Sequence, residues 1–483
     1  MRLVLFNPRA AAAHRRLPLS LLMVARVLEG EWTLIDGNVE PAAADRLRAL
    51  CAAGRVLLLV TVMPGPQLRV ATPLCRELKA KNPDLVVVWG GYFPGVHPES
   101  CLDETTVDVV VTSQGESVLP ALIDALRSGG DPAGLPGTVV RRDNIMHGTA
   151  PALAVSSRFG PVPYERVEMN AYAARTFLGS RTFNHHSSVG CPYLCNFCAV
   201  VNVYAGRWLP DPSADVIATA RTLARDHGAN ALEFHDNNFF AWERRCREVA
   251  DGIIDLGLAW WGEGRIDTML AFDGATWAAM ARSGLKMVFY GAESGDDAAL
   301  DAMDKGGLRV SDTRELNRVA RRHGVVPEFS FVLGNAADPE RDVALSLELV
   351  RDLKADNPDC EIILYLYTPV PLPGQWDEAK KRGFSFPTTL DGWLAPPWTD
   401  FDHRRVESTP WMTPGLRQRI DDFETVLNAR FPTATDLNLS ARRRRLVQAL
   451  AAPRWRLGRY AAPVELRALL RLYRYRRPEE MGF

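Results

Sequence analysis

Up to about residue 140 the chain alternates short, nearly unbroken apolar runs with stretches of helical periodicity. "RLVLF", "WTLID", "VLLLVT", "LVVVWGG" and "VDVVVTSQGE" are rich in Val and Leu and end on turn residues, which predicts strands. The amphipathic segments Leu17 to Leu28, Ala71 to Ala80 and Ser117 to Ser128 fall between them and predict helices. Strands apolar on both faces and separated by helices predict a parallel, doubly wound α/β sheet of Rossmann-like type. Such sheets receive ligands at the carboxyl ends of their strands. Those ends are Asn7-Pro8, Asp36-Gly37, Thr61, Gly90-Gly91 and Thr112 to Glu116, where small and polar residues would let a ligand approach backbone.

A stretch over 146–180, punctuated by "FGPVP", reads as a linker, and a second alternation follows. Its strand candidates are "HSSVG", "ALEFHD", "AWWGEGR", "KMVFYGAE", "PEFSFVLG" and "EIILYLYTP". Six strand–helix units within about 190 residues predict a partial (β/α)6 TIM-like barrel, with chemistry at the carboxyl ends of its strands. From residue 391 the chain is rich in Trp, Pro and Arg and predicts a mainly helical cap. There Trp393, Trp398, Trp411 and Trp455 suggest a cover over a sizeable organic substrate, and Arg442 to Arg445 read as a solvated helix face. The expected organisation is 1–145 sheet domain, 146–180 linker, 181–390 barrel and 391–483 cap.

Composition narrows the function. The 57 basic residues nearly balance the 58 acidic ones, which argues against a dedicated nucleic-acid binder. No apolar run is long enough to span a membrane, and "MRLVLFNPRA" does not read as a signal peptide. Cys51, Cys75, Cys101, Cys246 and Cys360 stand singly in apolar or helical contexts and are expected to be reduced, buried thiols of a cytoplasmic protein.

The remaining three cysteines lie together in "HHSSVGCPYLCNFCAVV" as Cys191, Cys195 and Cys198. A structural zinc wants four ligands, so it would need His185, His186 or a distant residue as well. A disulfide would leave one thiol over. A cubane iron–sulfur cluster can be held by three thiolates, leaving its fourth iron open for a substrate or cofactor. Spacing alone favours the cluster over zinc or incidental core cysteines.

"CPYLCNFC" is CxxxCxxC with the aromatic Phe197 before the last cysteine, and it resembles the signature of the radical S-adenosylmethionine enzymes. The resemblance runs from Phe183 to Gly374. "LEFHDNNFF", "FYGAESGDDAALDAMDKG" and "YTPVPLPGQ" are similar to the second-, fourth- and sixth-strand segments of one large branch. "FVLGNAADPE" departs from the fifth-strand pattern, with Asn335 and Ala336 replacing Pro and Gly. Ahead of the barrel, "LPLSLLMVARVL", "VVWGGYFPGVHPE" and "VDVVVTSQGESVLPAL" resemble the cobalamin-binding domain that precedes many of these enzymes. No Asp-x-His-x-x-Gly is present, and His14 and His97 are not in that context; the resemblance therefore implies cobalamin bound base-off.

The resemblance implies roles residue by residue. Cys191, Cys195 and Cys198 ligate a 4Fe–4S cluster, and S-adenosylmethionine chelates the open iron and yields a 5′-deoxyadenosyl radical. Phe197 walls the adenine or plugs the barrel mouth. Asp236 and Asn237 accept from the methionine ammonium, and Arg265 holds its carboxylate or makes a surface ion pair. Glu293 and Ser294 bond the ribose hydroxyls or the methionine amino group; for Glu293 a salt bridge to a neighbouring helix is the alternative. His235 is a hydrogen-bonded strand histidine, and Lys305 a helix-end charge. Gly90 and Gly91 let backbone approach the nucleotide tail, while Thr61, Gly115 and Glu116 line the corrin or that tail. The implied activity is a cobalamin-dependent methyltransferase acting on an unactivated carbon of a small-molecule substrate, fed by an electron donor such as flavodoxin or ferredoxin. A cyclase or ring-rearranging enzyme using the same cofactors is the alternative, and a non-catalytic zinc-bearing scaffold is the rival from another class.

Overall fold

The computed structural model describes residues 1–10, 15–143, 145–150, 159–400 and 409–478, so His14 lies outside the described residues. All five apolar runs of the first region form strands: β1 (Arg2–Asn7), β2 (Trp32–Asp36), β3 (Val56–Thr61), β4 (Val86–Gly90) and β5 (Val109–Val111). They pair in parallel in the order β2-β1-β3-β4-β5. This order places a topological switch between β1 and β3, the crevice where such sheets take ligands. Alternate residues bury on opposite faces. Val4, Phe6, Leu58 and Val60 meet the Pro66–Lys81 helix on one side, and Leu3, Leu5, Leu57 and Leu59 meet the Gly115–Ser128 helix on the other. Burial on both faces is why these strands lack polar alternation.

The sheet ends in an antiparallel hairpin, β6 (Thr138–Arg142) and β7 (Ile145–Gly148), which the apolar pattern does not announce. Every described residue of β7 is exposed, so no buried face imprinted a pattern.

The second sheet has six parallel strands, β8 (Thr182–His185), β11 (Ala231–Phe234), β12 (Ala259–Gly264), β13 (Leu285–Glu293), β14 (Val326–Leu333) and β15 (Glu361–Leu366), each paired with its neighbour in sequence. It is a partial β/α barrel. One expectation is corrected: "HSSVG" is not the first barrel strand. The barrel opens on β8, and Ser188–Gly190 (β9) turns away to pair antiparallel with Trp208–Pro210 (β10). Gly190 makes the turn possible. Its φ is +76°, and a Cβ there would lie 2.1 Å from the Arg207 carbonyl oxygen. The ribbon brackets the cysteine loop.

Three helices, Pro414–Arg430, Ala441–Leu457 and Val464–Leu472, close the chain around a small core of Val426, Ala429, Val447, Ala451 and Leu466. The tail tryptophans are packed into the protein. Trp393 stacks among Phe93, His97, Phe386 and Trp398, and its indole N–H donates to Ser100 Oγ at 3.2 Å. Trp411 donates to the Gly334 carbonyl at 2.9 Å, and Trp455 packs on Phe423, Phe431 and Tyr460. These rings tie the tail to the first domain and the barrel. Among the described residues no helix is long and apolar enough to cross a membrane.

Candidate cluster loop and cofactor cleft

All eight cysteines are free thiols, and Cys51, Cys75, Cys101, Cys246 and Cys360 are buried. Cys191, Cys195 and Cys198 lie on the loop between β9 and the Ala199–Tyr204 helix, and neighbours brace it on several sides. Asn196 donates its backbone N–H to Met303 and its side-chain amide to Ala302. The Tyr193 hydroxyl meets Thr268 Oγ1 at 2.8 Å. Asn238 Nδ2 lies 3.8 Å from Cys191 Sγ and Arg265 Nη1 3.4 Å from Cys195 Sγ, so two donors already point at the sulfurs.

Among the described residues no three His, Cys, Asp or Glu side chains converge tightly enough to share one metal ion. Burial pushes the Cys198 thiol up to about 12 and also raises Cys191, and the neighbouring thiols add to both shifts. Such a donor set is costly to ionise alone and is relieved by a cationic iron centre. The chemistry of the loop fits a cluster.

The strand ends around the loop are more committed than their sequence suggests. Asp236 is fully buried; Ser187 N–H and Oγ donate to it at 3.0 and 2.8 Å, and Ser188 Oγ donates as well. It latches the start of the ribbon through these bonds. Asn237 accepts from Gly190 N–H at 3.1 Å and is exposed toward the cleft described below. Arg265 is likewise taken. It forks onto Asp267 at 3.0 and 2.7 Å, donates to the Lys305 carbonyl at 2.6 Å and lies 3.6 Å over the Tyr193 ring. It braces the cysteine loop and makes an ion pair, one of the two expectations for it.

Glu293 sits at a bulge in β13 with φ +62° and forms an ion pair with Lys305, whose side chain is as buried as its own. Lys305 is therefore no helix-end charge, and its Nζ lies 5.5 Å from the Phe197 ring centre. Gly291 is required beside the pair, since a Cβ there would come within 2.0 Å of Glu293 Oε1 and 2.8 Å of Lys305 Nζ. Ser294 is fully buried, donates to Asp342 and accepts from Asp296 N–H. Asp342, absent from the sequence reading, also gathers the Gly334 and Asn335 N–H groups at 2.8 and 2.9 Å. Close by, Asn335 Nδ2, Tyr367 Oη and Thr368 Oγ1 are buried without partners at the ends of β14 and β15. A polar ligand would satisfy them, so this part of the mouth fits a nucleoside-bearing cofactor.

Inside the barrel, Arg16 bonds Glu233 at 3.0 Å and His235 Nε2 meets the same carboxylate at 3.1 Å. Among the described residues Glu263 has no hydrogen-bond partner, and burial followed by the nearby Asp236 charge pushes it up to about 8. Sequence reasoning missed it, although "AWWGEG" places it two residues beyond Trp261 on the same strand face.

Thr61, Gly90, Gly91, Gly115 and Glu116 all line one cleft of about 640 Å³ at the carboxyl ends of β3, β4 and β5. Cys198, His186, His235 and Asn237 form its opposite wall. Gly91 has φ +99°, and a Cβ there would stand 3.0 Å from Thr61 Oγ1. Gly115 serves packing, because a Cβ would strike Val24 Cγ1 at 2.5 Å. Glu116 is held by Arg26 at 3.1 Å with both side chains buried, so it stiffens the wall. Burial lowers His235 and pushes His186 down to about 3, which leaves both imidazoles neutral at pH 7. His97 is stacked against Phe93, Phe386 and Trp393, outside the cleft lining. The broad, glycine-floored cleft fits a corrin.

A family profile described as the B12 binding domain matches residues 9–123. The chain is 26% identical over 383 residues to the anaerobic magnesium-protoporphyrin IX monomethyl ester cyclase of Synechocystis sp., covering 76% of this chain and 75% of that protein. It is 24% identical over 392 residues to an uncharacterized methyltransferase of Pyrococcus horikoshii, covering 78% of this chain and 83% of the relative. The fold matches the radical S-adenosylmethionine methyltransferase TsrM from Kitasatospora setae, solved with cobalamin and a 4Fe–4S cluster bound; the TM-score is 0.69 at 17% identity, over 98% of this chain and 99% of that one. The chain thus carries a region that matches the B12 binding domain over residues 9–123 and shares, over nearly its whole length, the fold of a methyltransferase solved with cobalamin and a 4Fe–4S cluster.

Proposed function

We propose that this chain is a cobalamin-dependent radical S-adenosylmethionine methyltransferase that methylates an unactivated carbon of a small organic substrate. The observation that carries the reading is the shared cleft: Cys198 and the strand ends of the B12-binding domain line the same volume. A substrate in that volume is open to both halves of the chain and is walled from water by them. When bound, the cluster and S-adenosylmethionine supply a 5′-deoxyadenosyl radical and cobalamin supplies the methyl group. Cys191, Cys195 and Cys198 would hold the cluster, with Asn238 and Arg265 orienting the sulfurs of Cys191 and Cys195. Gly90 and Gly91 would let the corrin approach the backbone. The enclosure of His97 among aromatic rings supports base-off binding. A one-electron donor of the flavodoxin or ferredoxin type and a cytoplasmic setting complete the reading.

The cyclase among the relatives favours a second reading, oxidative cyclisation or ring rearrangement with the same cofactors. Anaerobic reconstitution with iron, sulfide, hydroxocobalamin, S-adenosylmethionine and a strong reductant separates the two. The methyltransferase releases both S-adenosylhomocysteine and 5′-deoxyadenosine; the cyclase releases 5′-deoxyadenosine alone. Absence of both, or a colourless protein lacking about four irons per chain, overturns both readings.

A further inference from the structure

The last two helices carry a charge imbalance that the rest of the chain lacks. Residues 441–478 contain 12 arginines and a single acidic residue, Glu465, in a chain whose net charge is −1. Some of these arginines are used internally. Arg454 pairs with Glu465, Arg467 with Asp421 and Asp422, and Arg477 with Glu424, while Arg444 donates to the Pro432 and Thr433 carbonyls. Arg442, Arg445, Arg456, Arg471, Arg474 and Arg476 are exposed and pair with no carboxylate among the described residues.

The same surface bears bare aliphatic side chains. Leu446, Leu450 and Leu457 on the Ala441–Leu457 helix are 47%, 46% and 64% exposed. At the helical pitch they fall within about 40° of one another, bordered by Arg442 and Arg456. Val464 and Leu472 on the next helix are 67% and 72% exposed. The opposite faces of both helices are already seated, through Val447, Ala451 and Leu466. The outward stripe is therefore not a core face waiting for its own domain.

The chemistry of the stripe selects among partners. A second copy would set like charges against one another. Nucleic acid would use the arginines but offer nothing to the aliphatic stripe, which brings no aromatic platform for bases. Protein interfaces pair arginine with aromatic anchors at their cores, and among the described residues no aromatic side chain is exposed along this stripe. A row of Leu and Val flanked by long cationic side chains is the pattern of helices that lie in a lipid headgroup region, where arginines reach outward to phosphate. We propose that the Ala441–Leu457 and Val464–Leu472 helices form a docking surface for the anionic face of a lipid bilayer. The surface acts as a peripheral anchor that holds the enzyme at a membrane without crossing it.

The test is cosedimentation of the full-length protein with phosphatidylcholine vesicles, with and without phosphatidylglycerol. At low salt, affinity should be at least about 100-fold higher on the anionic vesicles and should fall steeply as salt rises. The double variant Leu446→Asp/Leu450→Asp should lose at least about 10-fold. Equal partitioning onto both vesicle types, or none onto either, overturns the proposal. So does a result in which Arg442→Glu/Arg456→Glu abolishes binding while the leucine variant retains it, which is how a purely ionic contact with an acidic protein or a nucleic acid behaves. Far-UV circular dichroism and uptake of hydroxocobalamin check folding. If the leucine variant misfolds, the arginine variant and the salt titration decide, and loss of less than about 3-fold on charge reversal overturns the proposal.

Discussion

The two walls of the cofactor cleft are built on opposite principles. The B12-binding wall offers backbone and small residues: Thr61, Gly90 and Gly91 stand at strand ends with little side chain between the main chain and the cavity. Behind the opposite wall, which His186, Cys198, His235 and Asn237 line, the barrel is crowded with ionised and polar groups that bond to partners inside the protein. Asp236 is spent on Ser187 and Ser188, Arg265 on Asp267 and the Lys305 carbonyl, Glu293 on Lys305 and Ser294 on Asp342. A large, planar cofactor needs room, which a sequence supplies with glycine. A cluster loop that must hold three sulfurs in place needs rigid side-chain struts. Substitutions on the barrel wall should therefore act through stability and loop order, and those on the sheet wall through ligand fit.

Asp236→Ala gives the largest expected effect. It removes the acceptor for both serines and a carboxylate whose charge acts on the buried Arg245 guanidinium. Leaving a buried charge unpaired costs about 3–5 kcal/mol, read by urea denaturation of the protein without added cofactors. If Asp236 were instead a ligand contact, Asp236→Asn would keep its stability and lose only affinity for S-adenosylmethionine. Next comes Lys305→Met, which strands Glu293 in a buried site and should cost about 3 kcal/mol. Adding Glu293→Gln should recover more than half of that loss. No recovery would mean that Lys305 acts alone on the loop and that the pair is not the strut.

The same contrast explains what the sequence disclosed. The parallel strands β1 and β3 were legible because burial on both faces leaves a continuous apolar run, while the exposed hairpin β6–β7 leaves no such trace. The cysteine spacing and the Gly90-Gly91 turn were legible because each residue type has few other uses at that spacing. The partners of Asp236, Ser294 and Arg265 were not, because their contacts come from residues 2 to 70 positions away and depend on tertiary packing. Lys305 was misread for the same reason: its counter-ion lies on another element, 12 residues earlier in the chain. Even the first barrel strand was displaced, because "HSSVG" has the composition of a strand and is one, but in the ribbon that flanks the cluster loop.

Glu263 tests the barrel behind that wall, as a carboxyl without a hydrogen-bond partner among the described residues. Burial and the neighbouring Asp236 charge raise it to about 8, partly offset by Arg16. The folded state thus retains a proton that the unfolded chain releases near the ordinary glutamate value. Its stabilising contribution is complete below the unfolded value and is lost as pH rises toward 8. Between pH 6 and 8 this should remove roughly 2 kcal/mol of stability. Glu263→Gln, which cannot ionise, should flatten that part of the profile in urea denaturation curves. An unchanged slope would assign it to another group and leave Glu263 solvated.

Gly91→Ala is the matching test of the sheet wall and the smallest effect on stability. The residue sits at φ +99°, in a region that alanine tolerates poorly, and the added Cβ would come within 3.0 Å of Thr61 Oγ1 and 3.3 Å of Val62 N. Backbone strain of this kind costs about 1 kcal/mol, because Thr61 and the turn can shift by a few tenths of an ångström. That shift moves atoms into the floor of the cleft, so hydroxocobalamin retention, followed by visible absorbance after gel filtration, should fall roughly 10-fold or more. Gly30→Ala makes the control: it also has a positive φ, +76°, but nothing lies within 4 Å of the added atom, and it does not line the cleft. It should lose similar stability and bind hydroxocobalamin normally. If both variants weakened retention equally, backbone strain would explain the effect and the floor of the cleft would have no special need for glycine.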